Sequence, residues 1–152
     1  MNVFNMADQK GQDKVMSILD NLFSACTCNY EQFYTSTSPI DILMTATTRC
    51  DKQHLYAIEC KDREYTHTYF KDGWVIEEWK YNRLLDAKAK GYRPLLICTF
   101  SDNTYVIWDI STSPCNKGRF FANRTTMEES PVVEKYGRYF KVEDALKVGY
   151  LS

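Results

Sequence analysis

Apolar and polar positions alternate along this chain with two different periods. From about Ala7 to Ala25, Val15, Ile18, Leu19, Leu22 and Phe23 recur at i, i+3, i+4, i+7 and i+8, the single stripe of an amphipathic helix. Two short segments then change to a period of two. Ile40-Asp41-Ile42-Leu43-Met44 and Leu55-Tyr56-Ala57-Ile58-Glu59-Cys60-Lys61 read as strands, and the polar Thr48–Lys52 run between them reads as a hairpin turn. Asn29 to Ser38 is an aromatic, polar link into this hairpin, and Asp62 to Phe70 is a third strand or an ordered loop. A second helix is predicted from Asp72 or Gly73 to Lys90, with Gly91 as its stop. Pro94–Phe100 is a continuous apolar run suited to a central strand, and Thr104–Ile110 returns from it after the Ser101–Asn103 turn. Beyond these, Ser113–Gly118 reads as a loop, Glu134–Phe140 as a strand and Val142–Lys147 as a short helix.

The hairpin register places charge. With the turn centred on Cys50, residues whose numbers sum to 100 face each other, so Asp41 lies opposite Glu59 and period-two alternation brings Lys61 to the same face. The other face carries Ile40, Ile42, Met44, Tyr56 and Ile58, which can enter a core. Two carboxylates at such a separation repel unless a proton or cation lies between them. A hard divalent cation with oxygen ligands relieves that repulsion, and Mg²⁺ characteristically takes one or two carboxylates together with waters and phosphate oxygens. With an adjacent lysine, these are the groups used in metal-assisted phosphodiester hydrolysis. A surface ion pair on a solvated sheet face is the plainer alternative.

Pro39-Ile40-Asp41 followed by Glu59-Cys60-Lys61 on the next strand resembles the PD-(D/E)XK nuclease superfamily, with one residue inserted between the proline and the aspartate. The resemblance implies a restriction-endonuclease-like α/β fold, a central mixed β-sheet flanked by helices with an α-β-β-β-α-β core. It implies that Asp41, Glu59 and the backbone carbonyl of Cys60 hold Mg²⁺ or Mn²⁺, that Lys61 is catalytic, and that the substrate is DNA. An acidic residue of the first helix often faces the metal in that superfamily; Asp13 is the first candidate and Asp20 the second, each otherwise a solvated helix charge. The helix after the Glu59 strand commonly sends in a polar residue. Lys80 and Glu77 qualify, because Ile76, Glu77, Lys80, Leu84 and Ala87 share one side of a helical wheel. Lys80 and Glu77 could equally form a surface i,i+3 ion pair.

Length and composition narrow the picture. A chain of 152 residues, 44% hydrophobic and 14% aromatic, is expected to form one domain, with its nuclease-like core at about 7–110 and a C-terminal extension at about 111–152. The net charge of −1 provides no global basic field, so nucleic acid would be met by local cations. Arg63, Lys71, Lys80, Arg83, Lys88 and Arg93 are candidates, as are Arg119 and Arg124, where Arg119–Arg124 interleaves bases with aromatics. His67 lies near Arg63 but as a lone histidine reads more naturally as structural. The six cysteines and two histidines make no zinc spacing, which leaves a cysteine-based metal or redox protein as a weak option. The first residues lack a basic and apolar leader pattern, and no apolar run spans a bilayer, so a cytoplasmic protein with free thiols and no membrane association is expected. A homodimer stays open. The rival to a metal-dependent nuclease, of structure-selective, repair or phage type, is a non-catalytic nucleic-acid-binding or interaction module on the same fold.

Overall fold

The computed structural model describes residues 3–33, 38, 40–123 and 131–151. In chain order the elements are α1 (Val3–Leu22), β1 (Thr27–Gln32), β2 (Ile42–Thr47), β3 (Gln53–Asp62), β4 (Trp74–Glu77), α2 (Glu78–Ala89), β5 (Arg93–Thr99), β6 (Thr104–Asp109), β7 (Asn116–Asn123), β8 (Val132–Phe140) and β9 (Lys147–Tyr150). A mixed six-stranded sheet runs β1-β2-β3-β5-β6-β9, and a second sheet runs β4-β8-β7. Among the described residues only the β3–β5 pair is parallel, because the chain leaves β3, passes through β4 and α2, and returns beside it.

Both faces of the large sheet are covered. Val15, Ile18 and Leu19 of α1 pack on Ile42, Met44, Tyr56, Ile58, Leu95 and Ile97. On the reverse side Ala57, Leu96, Cys98 and Trp108 pack against Leu84 and Ala87 of α2 and against Trp74, Ile76 and Phe140 of the second sheet. Strands buried on two sides read as unbroken apolar runs, which is why β5 and β6 do. The β2–β3 register pairs Ile42 with Ile58 and Met44 with Tyr56, so paired numbers sum to 100 as expected. Asp51 takes the left-handed conformation (φ 61°) in the tight turn that sets this register.

Several boundaries differ from the sequence expectation. The first helix spans Val3–Leu22 instead of about Ala7 to Ala25. The Asn29–Ser38 link overlaps an edge strand, β1, in which Cys28, Tyr30 and Gln32 are half-buried and their neighbours exposed. Ile40 packs on the α2 side, not with Ile42, because the chain bends at Asp41 before β2 begins and alternation starts only there. The second helix starts at Glu78. Trp74 and Ile76 are buried in β4, where they alternate with half-exposed Val75 and Glu77 along β8. The Ser113–Gly118 segment, expected as a loop, already contains the start of β7. Val142–Lys147 holds only a 3₁₀ turn at Val142–Asp144, too short to nucleate a helix, and β9 follows it at the sheet edge. β7, β8 and β9, all from the expected C-terminal extension, are therefore woven into both sheets. Phe140 is fully buried, and Trp108 Nε1 donates to the Lys141 carbonyl at 2.8 Å. No described helix is long and apolar enough to cross a membrane.

Candidate active site

Glu59 is the pivot of the site. It projects from the α2 side of β3, within the parallel β3–β5 pair, and is 0% exposed. Its Oε1 accepts from Lys80 Nζ at 2.9 Å and lies 3.3 Å from Lys61 Nζ. Its Oε2 is buried with no partner. Burial works against the charged form of Glu59, but Lys61 and Lys80 outweigh it and hold the carboxyl below its ordinary value. A buried carboxylate with only one oxygen satisfied is costly, since each unmet buried polar group costs about 1–3 kcal/mol and more when charged.

Asp41 lies in the bend immediately before β2. Its N–H donates to the Ile58 carbonyl at 3.1 Å, and its Oδ2 accepts the Cys60 N–H at 2.8 Å. Burial, then repulsion from Glu59, pushes the Asp41 carboxyl up to about 7, against opposing contributions from the Cys60 hydrogen bond and the two lysines. The Asp41–Glu59 pair thus retains a proton near neutrality, the behaviour of two carboxylates sharing a cramped space.

Lys80 enters from the first turn of α2, with its side chain 15% exposed, while the Lys61 side chain is 26% exposed. Burial works to lower the Lys80 pKa, but Glu59, and behind it Asp41 and Glu77, raise it overall, so Lys80 stays a cation. The helix is clamped in place. Arg138 of β8 makes a two-pronged pair with Glu78 at 2.8 and 2.9 Å, and its guanidinium sits 4.5 Å from the Tyr81 ring centre. Glu77, at the end of β4, is engaged on both oxygens, by Lys135 Nζ at 3.1 Å and by Trp79 Nε1 at 2.5 Å.

Gln12 belongs to the site's support and was not foreseen in that role. It is 2% exposed on α1, and its Nε2 donates to the Phe33 carbonyl at 2.5 Å; Phe33 in turn donates its N–H to the Asp41 carbonyl at 2.8 Å. The signal was present in the sequence, since Gln12 is a polar residue three positions before Val15 on the apolar stripe.

Other candidates lie elsewhere. Asp13 is exposed on α1, in a surface groove with Lys10 and Lys14, and Asp20 accepts from the Tyr30 hydroxyl, so neither joins Asp41 and Glu59. Arg63 turns inward and donates Nη2 to the Val75 carbonyl at 2.8 Å. His67 is tied to Asp102, with 2.6 Å between Nδ1 and Oδ2. Arg93 pairs with Asp109 at 2.7 Å, whereas Lys71 and Lys88 are exposed. Arg83, loosely paired with Asp86 at 3.6 Å, helps line a 560 Å³ groove with Ile40, Leu43, Trp79 and Lys90, next to the strand entry that carries Asp41. Arg119 is exposed on β7 and faces Glu134 at 3.2 Å. Arg124 lies outside the described residues. Among the described residues no group of three or more His, Cys, Asp or Glu side chains is arranged to hold a metal ion. Any cation at this site would rest on two carboxylates supplemented by backbone and substrate oxygens.

No family model matches the chain, and no curated protein or solved structure is significantly similar to it.

Proposed function

We propose that this chain is a divalent-metal-dependent nuclease that hydrolyses DNA phosphodiester bonds on a PD-(D/E)XK-like scaffold. The observation that carries this reading is Glu59, a buried carboxylate with one oxygen between two ammonium groups and the other without a partner, beside an Asp41 whose carboxyl is pushed up by burial and by Glu59. The element order supports it: a helix, three antiparallel strands, a crossover helix and a returning strand follow the implied α-β-β-β-α-β order, although the third strand is β1 ahead of the hairpin, not Asp62–Phe70, and β4 of the second sheet is inserted before α2.

The donor set fits Mg²⁺ or Mn²⁺. Asp41, Glu59 and the backbone carbonyl of Cys60 would hold the ion, all of them hard oxygens. When bound, such a cation supplies Lewis acidity that acidifies water and offsets charge on a phosphate. The chain's own residues do the rest. Lys80 remains cationic, fixes the Glu59 carboxylate by its hydrogen bond, and so serves as a positioning residue, not as a base. Lys61 shares the same Glu59 oxygen but reaches further toward solvent, where its ammonium can meet the negative charge that builds on the phosphoryl oxygens. The Cys60 N–H and the Phe33 N–H hold Asp41 at its carboxylate and its carbonyl, so the pair is set before substrate arrives.

The experiment is cleavage of single-stranded, duplex, flapped and branched DNA by wild type and Lys61→Ala in Mg²⁺, Mn²⁺ or EDTA. Metal-dependent cleavage that is lost in Lys61→Ala is expected. No cleavage of any substrate by a protein that also fails to bind metal would leave the fold as a binding module.

A further inference from the structure

We propose that the aromatic cavity formed by the 63–73 turn with β7 and β8 is a nucleobase pocket, and that the substrate is therefore single-stranded or flapped DNA. This rests on the nuclease reading for its substrate class. The cavity measures about 450 Å³ and is lined by Tyr65, Tyr69, Phe70 and Phe121, all exposed, with Phe121 at 75% and Tyr69 at 60%. A cluster of large, solvent-facing aromatics is a recognition surface more often than an accident of folding.

The platform is rigid. Tyr65 stacks on Tyr69 with ring centres 4.6 Å apart and planes 25° from parallel, and Phe70 packs edge-on against buried Trp74 at 5.1 Å. The turn is pinned by Ser101 N–H to the Tyr65 carbonyl, by Trp74 Nε1 to the His67 carbonyl and by the His67–Asp102 pair. Side chains held in this way lose little entropy on binding.

Charge and position select the occupant. Arg63 and Lys71 place two cations at the cavity against the single carboxylate of Asp72, and the Arg63 Nε is buried without an acceptor. Flat apolar faces beside cations suit a base with its attached phosphate. Arg63 also continues the ladder of β3, donating its N–H to the Thr99 carbonyl, so it follows Glu59 and Lys61 along one side of the chain. At a strand's rise Arg63, which lines the cavity, lies about 13 Å along the chain from Glu59. A strand with one base in the cavity therefore carries its backbone past Lys61. Bases inside a duplex are stacked and paired, and cannot enter.

The test is fluorescence anisotropy in EDTA, where no cleavage occurs, with labelled oligo-dT and a duplex of equal length. Wild type should prefer the single strand. Phe121→Ala and Tyr69→Ala should each weaken single-strand binding by about tenfold, with duplex binding unmoved. Phe121 is so exposed that its variant should melt like wild type. Single-strand binding unchanged in both folded variants would overturn the pocket even if Lys61-dependent cleavage is found. Single-strand binding that falls in Phe121→Ala, in a protein that cleaves nothing, would keep the pocket and discard the nuclease. Equal affinity for both DNA forms, or capture of an apolar peptide in place of DNA, also overturns it.

Discussion

Asp41→Asn should stabilise the metal-free protein by an amount that grows as the pH rises from about 4 to 7 and is constant above that. The native Asp41 carboxyl titrates at about 7, against 3.8 for an ordinary aspartate. Folding raises this pKa, so the native protein keeps the proton after the unfolded chain has lost it. The contribution of Asp41 to stability is therefore fully present below pH 3.8, declines as the pH climbs, and is gone above about 7. A difference of this size corresponds to about 4 kcal/mol, an upper bound on the gain when the charge is removed. The asparagine can still accept the Cys60 N–H through its amide oxygen, so the bend before β2 is retained. Urea unfolding in EDTA at pH 4.5 and pH 8.5 measures the effect, and a gain near the bound would raise Tm at pH 8.5 by about 10 °C. The difference between variant and wild type should be small at pH 4.5 and large at pH 8.5. An equal difference at both values, or a variant less stable at pH 8.5, would refute a protonated Asp41–Glu59 pair.

Glu59→Gln leaves Lys61 and Lys80 facing a neutral group, and should cost about 3–5 kcal/mol in urea denaturation because a partly buried cation loses its counter-charge. Gln12→Ala frees the Phe33 carbonyl and should cost about 1–3 kcal/mol; it should also weaken Mg²⁺ affinity, read by calorimetry, since Phe33 holds Asp41. Gly73 has φ 102°, and a side chain there would fall 2.4 Å from the Phe140 carbonyl oxygen, so Gly73→Ala should lower stability by at least about 2 kcal/mol in thermal melts.

The legible parts of this fold are those governed by local pattern. Val15, Ile18 and Leu19 marked the buried face of α1, and the polar turn between β2 and β3 set a register that brought Asp41 and Glu59 together. The less legible parts depend on partners distant in sequence. β1 is an edge strand buried on one side only, so Cys28, Tyr30 and Gln32 leave a faint alternation. β4 is four residues long and runs straight into α2, and Glu77 caps the helix with no side-chain hydrogen bond, so nothing local separates strand from helix. Its pairing with β8, about sixty residues later, makes it a strand. Lys80 was read from a helical wheel that wrongly included Ile76 and Glu77, both in β4, yet it reaches Glu59 because α2 keeps its phase from Glu78 onward. The inward turn of Arg63 has no local signal, because the Val75 carbonyl it meets belongs to a separate sheet.

The most direct measurement is calorimetric titration of Mn²⁺ into wild type and Asp41→Asn at pH 6, in two buffers of different ionisation enthalpy. The proposed site predicts one bound ion per chain in wild type, with release of part of a proton from Asp41, and no binding in the variant. Binding of equal strength in both proteins, or no binding in either, would contradict a cation seat at Asp41 and Glu59.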